Sequence, residues 1–168
     1  MITRRRLVLV ALLLLVGLVL LGRWLSGRAV SDEELLLQGV EEIAVAVEQR
    51  DLEALGEWID AGFRDQQGRD FAEIKRFLRL HWLRGGLLSI YLVAKSARLG
   101  PARAAGTVEA TVLITRRPRV ERLADILPES ARALRFVFEF QRRDRWRLVR
   151  ASWRRVEDWR QLVDGASR

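Results

Sequence analysis

Residues 7–22, LVLVALLLLVGLVLLG, run sixteen positions without a charge or a hydrogen-bonding side chain. Such a stretch selects hydrocarbon as its solvent, and in hydrocarbon its backbone can satisfy its own amides only as a helix or a closed barrel. As a helix it rises about 24 Å at 1.5 Å per residue, slightly short of the roughly 30 Å core of a bilayer. Trp24 and Leu25 extend it, and the stems of Arg6 and Arg23 can snorkel to the headgroups. Leu7, Leu14 and Leu21 are then expected within the bilayer and Trp24 at its interface. A cleaved signal peptide would carry a shorter apolar run and a small-residue A-x-A-like site. Gly27-Arg28-Ala29 fits that poorly, so a retained anchor is expected.

Positive charge sets the orientation. Arg4, Arg5, Arg6 and the amino terminus precede the span; Arg23, Arg28 and the acids Asp32, Glu33 and Glu34 follow it. The positive-inside rule keeps the N-terminus in the cytoplasm. The expected location is the inner membrane, single-pass, with a C-terminal domain in the periplasm. Residues 1–29 would be the tail and anchor, 30–155 one α+β domain, and 156–168 an extension.

The net charge of +8 is unevenly spread. Residues 1–30 hold five arginines and no acid, residues 31–75 hold 13 acids against 4 basic side chains, and residues 76–168 hold 21 basic side chains against 9 acids. Basic surface suits nucleic acid or anionic lipid, and acidic helices laid on a basic sheet would neutralise part of it. Nucleic acid is a poor partner for a periplasmic domain. The excess of arginine over lysine fits codon usage in a GC-rich bacterium. The chain has no cysteine, which excludes disulfides, thiolate nucleophiles and cysteine–zinc sites. One histidine and no paired-carboxylate motif leave no metal site to predict. The segment Asp65 to Asp70 lacks the alternating acids and final glutamate of a calcium loop. No phosphate loop, dinucleotide fingerprint or nucleophile elbow occurs, so no cofactor is expected.

From residue 31 the apolar pattern becomes helical. Ser31 and Glu34 form a capping-box pattern, and Leu36, Leu37, Val40, Ile43, Ala44 and Val47 make one stripe over 32–49. Asp51 reads as the cap of a short helix over 52–59, and Ala61 to Arg64 as a brief extended piece. Asp70 with Glu73 opens a third helix over 71–84, with Phe71, Ile74, Phe77, Leu78, His81 and Trp82 on its inner side and Gly85-Gly86 at its end. The period then drops from 3.6 to two. Strands are predicted over 87–98, 107–115, 134–141 and 145–153, the last two forming a hairpin. Val108, Ala110, Val112 and Ile114 make one face of the second strand, with Thr107, Glu109, Thr111 and Thr115 on the other, and Leu134, Phe136, Phe138 and Phe140 point inward from the third. Trp146 and Leu148 also point inward. Leu113 interrupts the alternation. A short helix is expected between Pro118 and Pro128, and another from Glu157 to Val163. The fold class is α+β: three helices on a curved antiparallel sheet of about four long strands.

The order of elements resembles the nuclear transport factor 2-like superfamily. The residues that carry the likeness are VAVEQRDLEALGEWIDAGFRD (45–65), GRDFAEIKRFLRLHW (68–82) and the hairpin FEFQRRDRWRLVRASW (138–153). The resemblance implies a cone whose sheet and long helix enclose a pocket, a fold that hosts isomerases, cyclases and dehydratases as well as modules that only bind. It also implies a homodimer formed through the sheet. Enzymes of the superfamily often set an aspartate or histidine in the pocket. Here the inward positions are hydrocarbon, and Glu109 and Glu139 are expected to point outward. The layout of tail, span and periplasmic domain also resembles an inner-membrane assembly component of type IV secretion systems.

His81 is the sole histidine. A general acid–base histidine needs an oriented partner, and its helical neighbours Phe77, Leu78, Arg84 and Gly85 offer no carboxylate, so it is a weak catalytic candidate. Trp58, Trp82, Trp146 and Trp153 read as core. Arg116, Arg117, Arg119 and Arg122 form one basic cluster; Arg142, Arg143, Arg145, Arg147 and Arg150 form another around the last hairpin. They are candidates for an anionic partner, a protein or lipid headgroups. The expected function is a membrane-anchored binding or scaffolding module. The alternative is a small-molecule enzyme or ligand carrier that uses the pocket.

Overall fold

The computed structural model describes residues 30–86, 89–120 and 131–157. The chain divides into two compact units, Met1–Ser31 and Asp32–Arg168. The apolar run with Leu7, Leu14, Leu21 and Trp24 lies outside the described residues. So do residues 121–130, where a short helix is expected, and all but Glu157 of the expected final helix. Among the described residues no helix is long and apolar enough to cross a membrane.

Helix α1 (Asp32–Gln49) buries Leu36, Gly39, Val40 and Ala46 along one stripe and opens with three acids that suit its positive end. It stops at Arg50, whose φ of 62° is left-handed, and the Asp51 amide bonds back to the Ala46 carbonyl. The Asp51 carboxylate then accepts from the Glu53 and Ala54 amides, at 3.0 and 2.9 Å, and starts helix α2 (Leu52–Trp58). Ile59 turns extended and leads into strand β1 (Ile59–Asp65). Helix α3 (Phe71–Leu83) begins with the complete capping box of Asp70 and Glu73, and Gly85, at φ +73°, ends the turn after it.

Strands β2 (Ser89–Leu99), β3 (Ala105–Thr115), β4 (Ala131–Arg142) and β5 (Trp146–Val156) follow. They pair antiparallel in sequence order. The sheet has a fifth member, which corrects the expectation of four antiparallel strands. β1 runs parallel to β5, giving the order β1-β5-β4-β3-β2. The extended piece at 61–64 reads short because its ladder is interrupted between Ile59 and Arg64, and Asp60 and Gly62 break the apolar alternation.

One face of the sheet carries the main core. Val108, Ala110 and Val112 of β3, Phe138 and Phe140 of β4, and Trp146, Leu148 and Ala151 of β5 meet Leu36 and Val40 of α1 and Phe63 of β1. The approach of α1 is close. A Cβ on Gly106 would stand 2.4 Å from Leu36 Cδ1, and one on Gly39 would stand 2.6 Å from the Trp58 ring. Leu113, which breaks the strand alternation, is buried on the opposite face with Tyr91 and Ala133. There the Val120 amide donates to the Tyr91 hydroxyl at 2.7 Å, folding the segment after β3 over that end of the sheet. Both faces are therefore covered at one end and only one at the other. The expected inward placement of Phe77 is corrected: it is 56% exposed, because α3 turns Leu78 and Ile74, not Phe77, toward the core.

Candidate functional site

Three regions held candidate chemistry: the helix-facing side of the sheet, the arginine clusters and the outer side of the sheet. On the helix-facing side, where the resemblance implies a pocket, the described side chains are hydrocarbon and aromatic. Phe136 and Phe138 stack with centroids 5.2 Å apart, and Trp153 tilts against Phe136 at 5.7 Å. Trp58 packs against the same cluster, and its indole N–H donates to Glu42 at 2.9 Å. Trp82 joins Leu55 and Leu78 between the helices.

His81 lies half-buried near the end of α3. Its Nε2 is buried and has no hydrogen-bond partner, and the backbone of Gly86 closes on the ring so tightly that a Cβ there would stand 2.4 Å from Nε2. Phe77 stacks on the imidazole with centroids 6.4 Å apart. No carboxylate among the described residues bonds to it, so the arrangement supplies no oriented proton acceptor.

A buried carboxylate does sit beneath α3, where the sequence suggests only a polar loop. Asp65 is 5% exposed. One oxygen accepts from the Gln67 and Arg69 amides at 2.8 and 2.9 Å, and the other from Arg69 Nε at 2.7 Å. Burial raises its pKa, but the Arg69 amide, the Arg69 side chain and the Gln67 amide together outweigh that and hold it below the ordinary aspartate value. Arg69 spreads over the rings of Phe77 and Trp153, 5.7 and 5.9 Å from their centroids. No group of three or more metal-ligating side chains occurs among the described residues. The D-x-x-x-R spacing was the sequence signal for this unit.

The arginine candidates divide in two. Arg119 donates to both oxygens of Glu48, at 3.0 and 2.9 Å, and covers the Tyr91 ring. Arg142 donates to both oxygens of Asp32 at 3.0 Å, while Arg143 stands 3.6 Å from Asp60 and Arg145 pairs with Glu57. Arg147 bonds Asp144, and that hydrogen bond is the main reason Asp144 is held below the ordinary aspartate value. With Lys95 on Glu41, the acids of α1 and α2 reach the basic sheet and hairpin directly. Arg116 and Arg117 are exposed and make no side-chain ion pair among the described residues.

The outer side of the sheet carries Arg98, Arg135, Arg150 and Arg154 against Glu109 and Glu139. Arg98 stands 4.0 Å from Glu109, and Glu139 lies directly opposite Arg150. Arg135 lies directly opposite Arg154, a like-charge pair across adjacent strands. Shallow hollows of about 230 and 240 Å³ open here, sharing Ser96 and Glu109 in their walls; the larger includes Arg135.

No protein-family model matches the chain, and no curated protein matches it. Solved structures do. Bd1075 of Bdellovibrio bacteriovorus superposes with a TM-score of 0.59 at 13% identity, over 74% of this chain and 41% of that one. The S. rosetta CaMKII hub gives 0.58 at 12% identity over 74% and 96%. A candidate dehydratase of the nuclear transport factor 2-like family from Streptomyces avermitilis gives 0.57 at 19% identity over 75% and 96%. The chain has the nuclear transport factor 2-like fold. It spans about two fifths of Bd1075 and nearly all of the other two. One of these neighbours is a hub and another a candidate dehydratase, so the likeness shows a fold and does not indicate an activity.

Proposed function

We propose that this chain is a single-pass membrane-anchored module that binds a protein partner at the periplasmic surface through the outer side of its sheet. The observation that carries the reading is the pairing of Arg135 with Arg154 on that side. Like charges directly opposite on neighbouring strands destabilise a sheet, and no described carboxylate bonds to either arginine. A partner surface bearing carboxylates would relieve that repulsion. The hydrocarbon on the helix-facing side, and a His81 Nε2 that no described carboxylate bonds, support the same reading. The sixteen-residue apolar run supports the anchor.

The test is periplasmic crosslinking in membranes from cells carrying the wild-type chain or the Arg135→Glu/Arg154→Glu variant. The wild type should pellet after alkaline carbonate washing and crosslink to a discrete partner, and the double reversal should remove that crosslink while leaving the protein folded. A crosslink to a second copy of the chain would identify a homodimer as the assembly. An unchanged crosslink pattern in the variant overturns the sheet-face reading.

A further inference from the structure

The last two turns of α3 leave apolar side chains in water. Phe77 is 56% exposed, Leu80 49% and Leu83 83%. At successive three-residue steps they follow one strip of the helix surface. Arg76, Arg79 and Arg84 stand among them, all exposed. None of the three bonds to a carboxylate among the described residues. The helix has one acid, Glu73, and it is held at the far end in the capping box. Elsewhere in the described residues the large exposed apolar side chains are Val30 and Val45, so the exposed hydrocarbon is concentrated here.

We propose that this ridge is a second, peripheral membrane contact that lays the domain on an anionic phospholipid surface. The chemistry selects that occupant. Leucine and phenylalanine enter the boundary between headgroups and acyl chains, while arginines on the same helix reach phosphate oxygens. Two copies of the ridge brought face to face would oppose their own arginines, which argues against a dimer here. The chain outside the structure argues for the surface. The apolar run ends at Gly22 and the described residues begin at Val30, so residues 23–29 can span at most about 25 Å. In that proximity alone, the inference rests on the anchor proposed above.

The absence of cysteine makes the test direct. Leu80→Cys and, as a control on the outer side of the sheet, Ser96→Cys each take one environment-sensitive fluorophore in the full chain. Each is reconstituted in phosphatidylcholine vesicles with or without phosphatidylglycerol, some carrying quenchers on the acyl chains. The label at 80 should be quenched in phosphatidylglycerol vesicles and the label at 96 should not. The Arg76→Gln/Arg79→Gln/Arg84→Gln variant should lose most of this quenching, its equilibrium constant for the surface falling about a hundredfold at about fivefold per charge removed, and the triple reversal to Glu should lose more. A label at 80 no more quenched than that at 96 overturns the proposal. So does quenching that ignores both phosphatidylglycerol and the triple reversal, or a label at 80 hidden from aqueous and lipid quenchers alike. Alkaline carbonate extraction of the same vesicles reads the anchor separately. A chain that is extracted yet quenches at 80 beforehand refutes the anchor and keeps the ridge.

Discussion

Asp65 shows how one side chain can organise a loop. Its carboxylate gathers two backbone amides and a guanidinium, and the guanidinium then rests on Phe77 and Trp153. Replacing it as Asp65→Asn keeps the shape and removes the charge. That should cost about 1.5–3 kcal/mol in urea denaturation at neutral pH, the range for hydrogen bonds to charged groups. The pH dependence follows from the lowered pKa. Its contribution is complete above the ordinary aspartate value of 3.8 and drains away as pH falls through the lower folded value. The gap between wild type and variant should therefore be constant from neutral pH to about 5 and shrink below about 4. A gap that persists unchanged to pH 2 would show that the charge is not what stabilises the loop.

At the level of elements, local chemistry was written plainly. Asp51 and Asp70 cap α2 and α3 as their spacing requires, and period-two alternation marks β3 and β4 with Val108, Ala110, Phe138 and Phe140 on the core side. Asp70→Ala should lower stability by about 1 kcal/mol, read from chemical denaturation, with the far-ultraviolet signal of α3 frayed and not lost. What stayed hidden was non-local. The parallel pairing of β1 with β5 joins segments more than eighty positions apart, and β1 has only one neighbour to declare it. Leu113 looked like an error in the alternation because the segment reaching Val120 covers a face that the strand alone leaves open. The exposure of Phe77 was likewise invisible, since a phenylalanine at helical spacing reads as core until the packing partners of α3 are known. Of the candidate site residues, Arg119, Arg143 and Arg145 are joined by carboxylates that lie far away in sequence.

Within the domain, the acidic segment of residues 31–75 and the basic stretch that follows it are two halves of one electrostatic closure. Asp32 ties the start of α1 to Arg142 and to the Trp146 indole, and Glu48 ties its end to Arg119 and the Ile90 amide. These are exposed or half-exposed pairs, each worth about 0–1 kcal/mol, so they align α1 more than they hold it; the hydrocarbon of Leu36 and Val40 does that. The sheet order has a different bearing. β5 is the last strand made, yet it lies between β1 and β4. A chain stopped after Asp144 should accordingly be degraded by protease at a dose that spares the chain ending after Glu157, and equal resistance would contradict this. Until its final hairpin emerges, a nascent copy leaves β1 without its neighbour and Phe140 without Leu148. Burial of the interior therefore waits for the strand synthesised last among those described, and a ribosome paused before Trp146 holds an open, unsealed sheet.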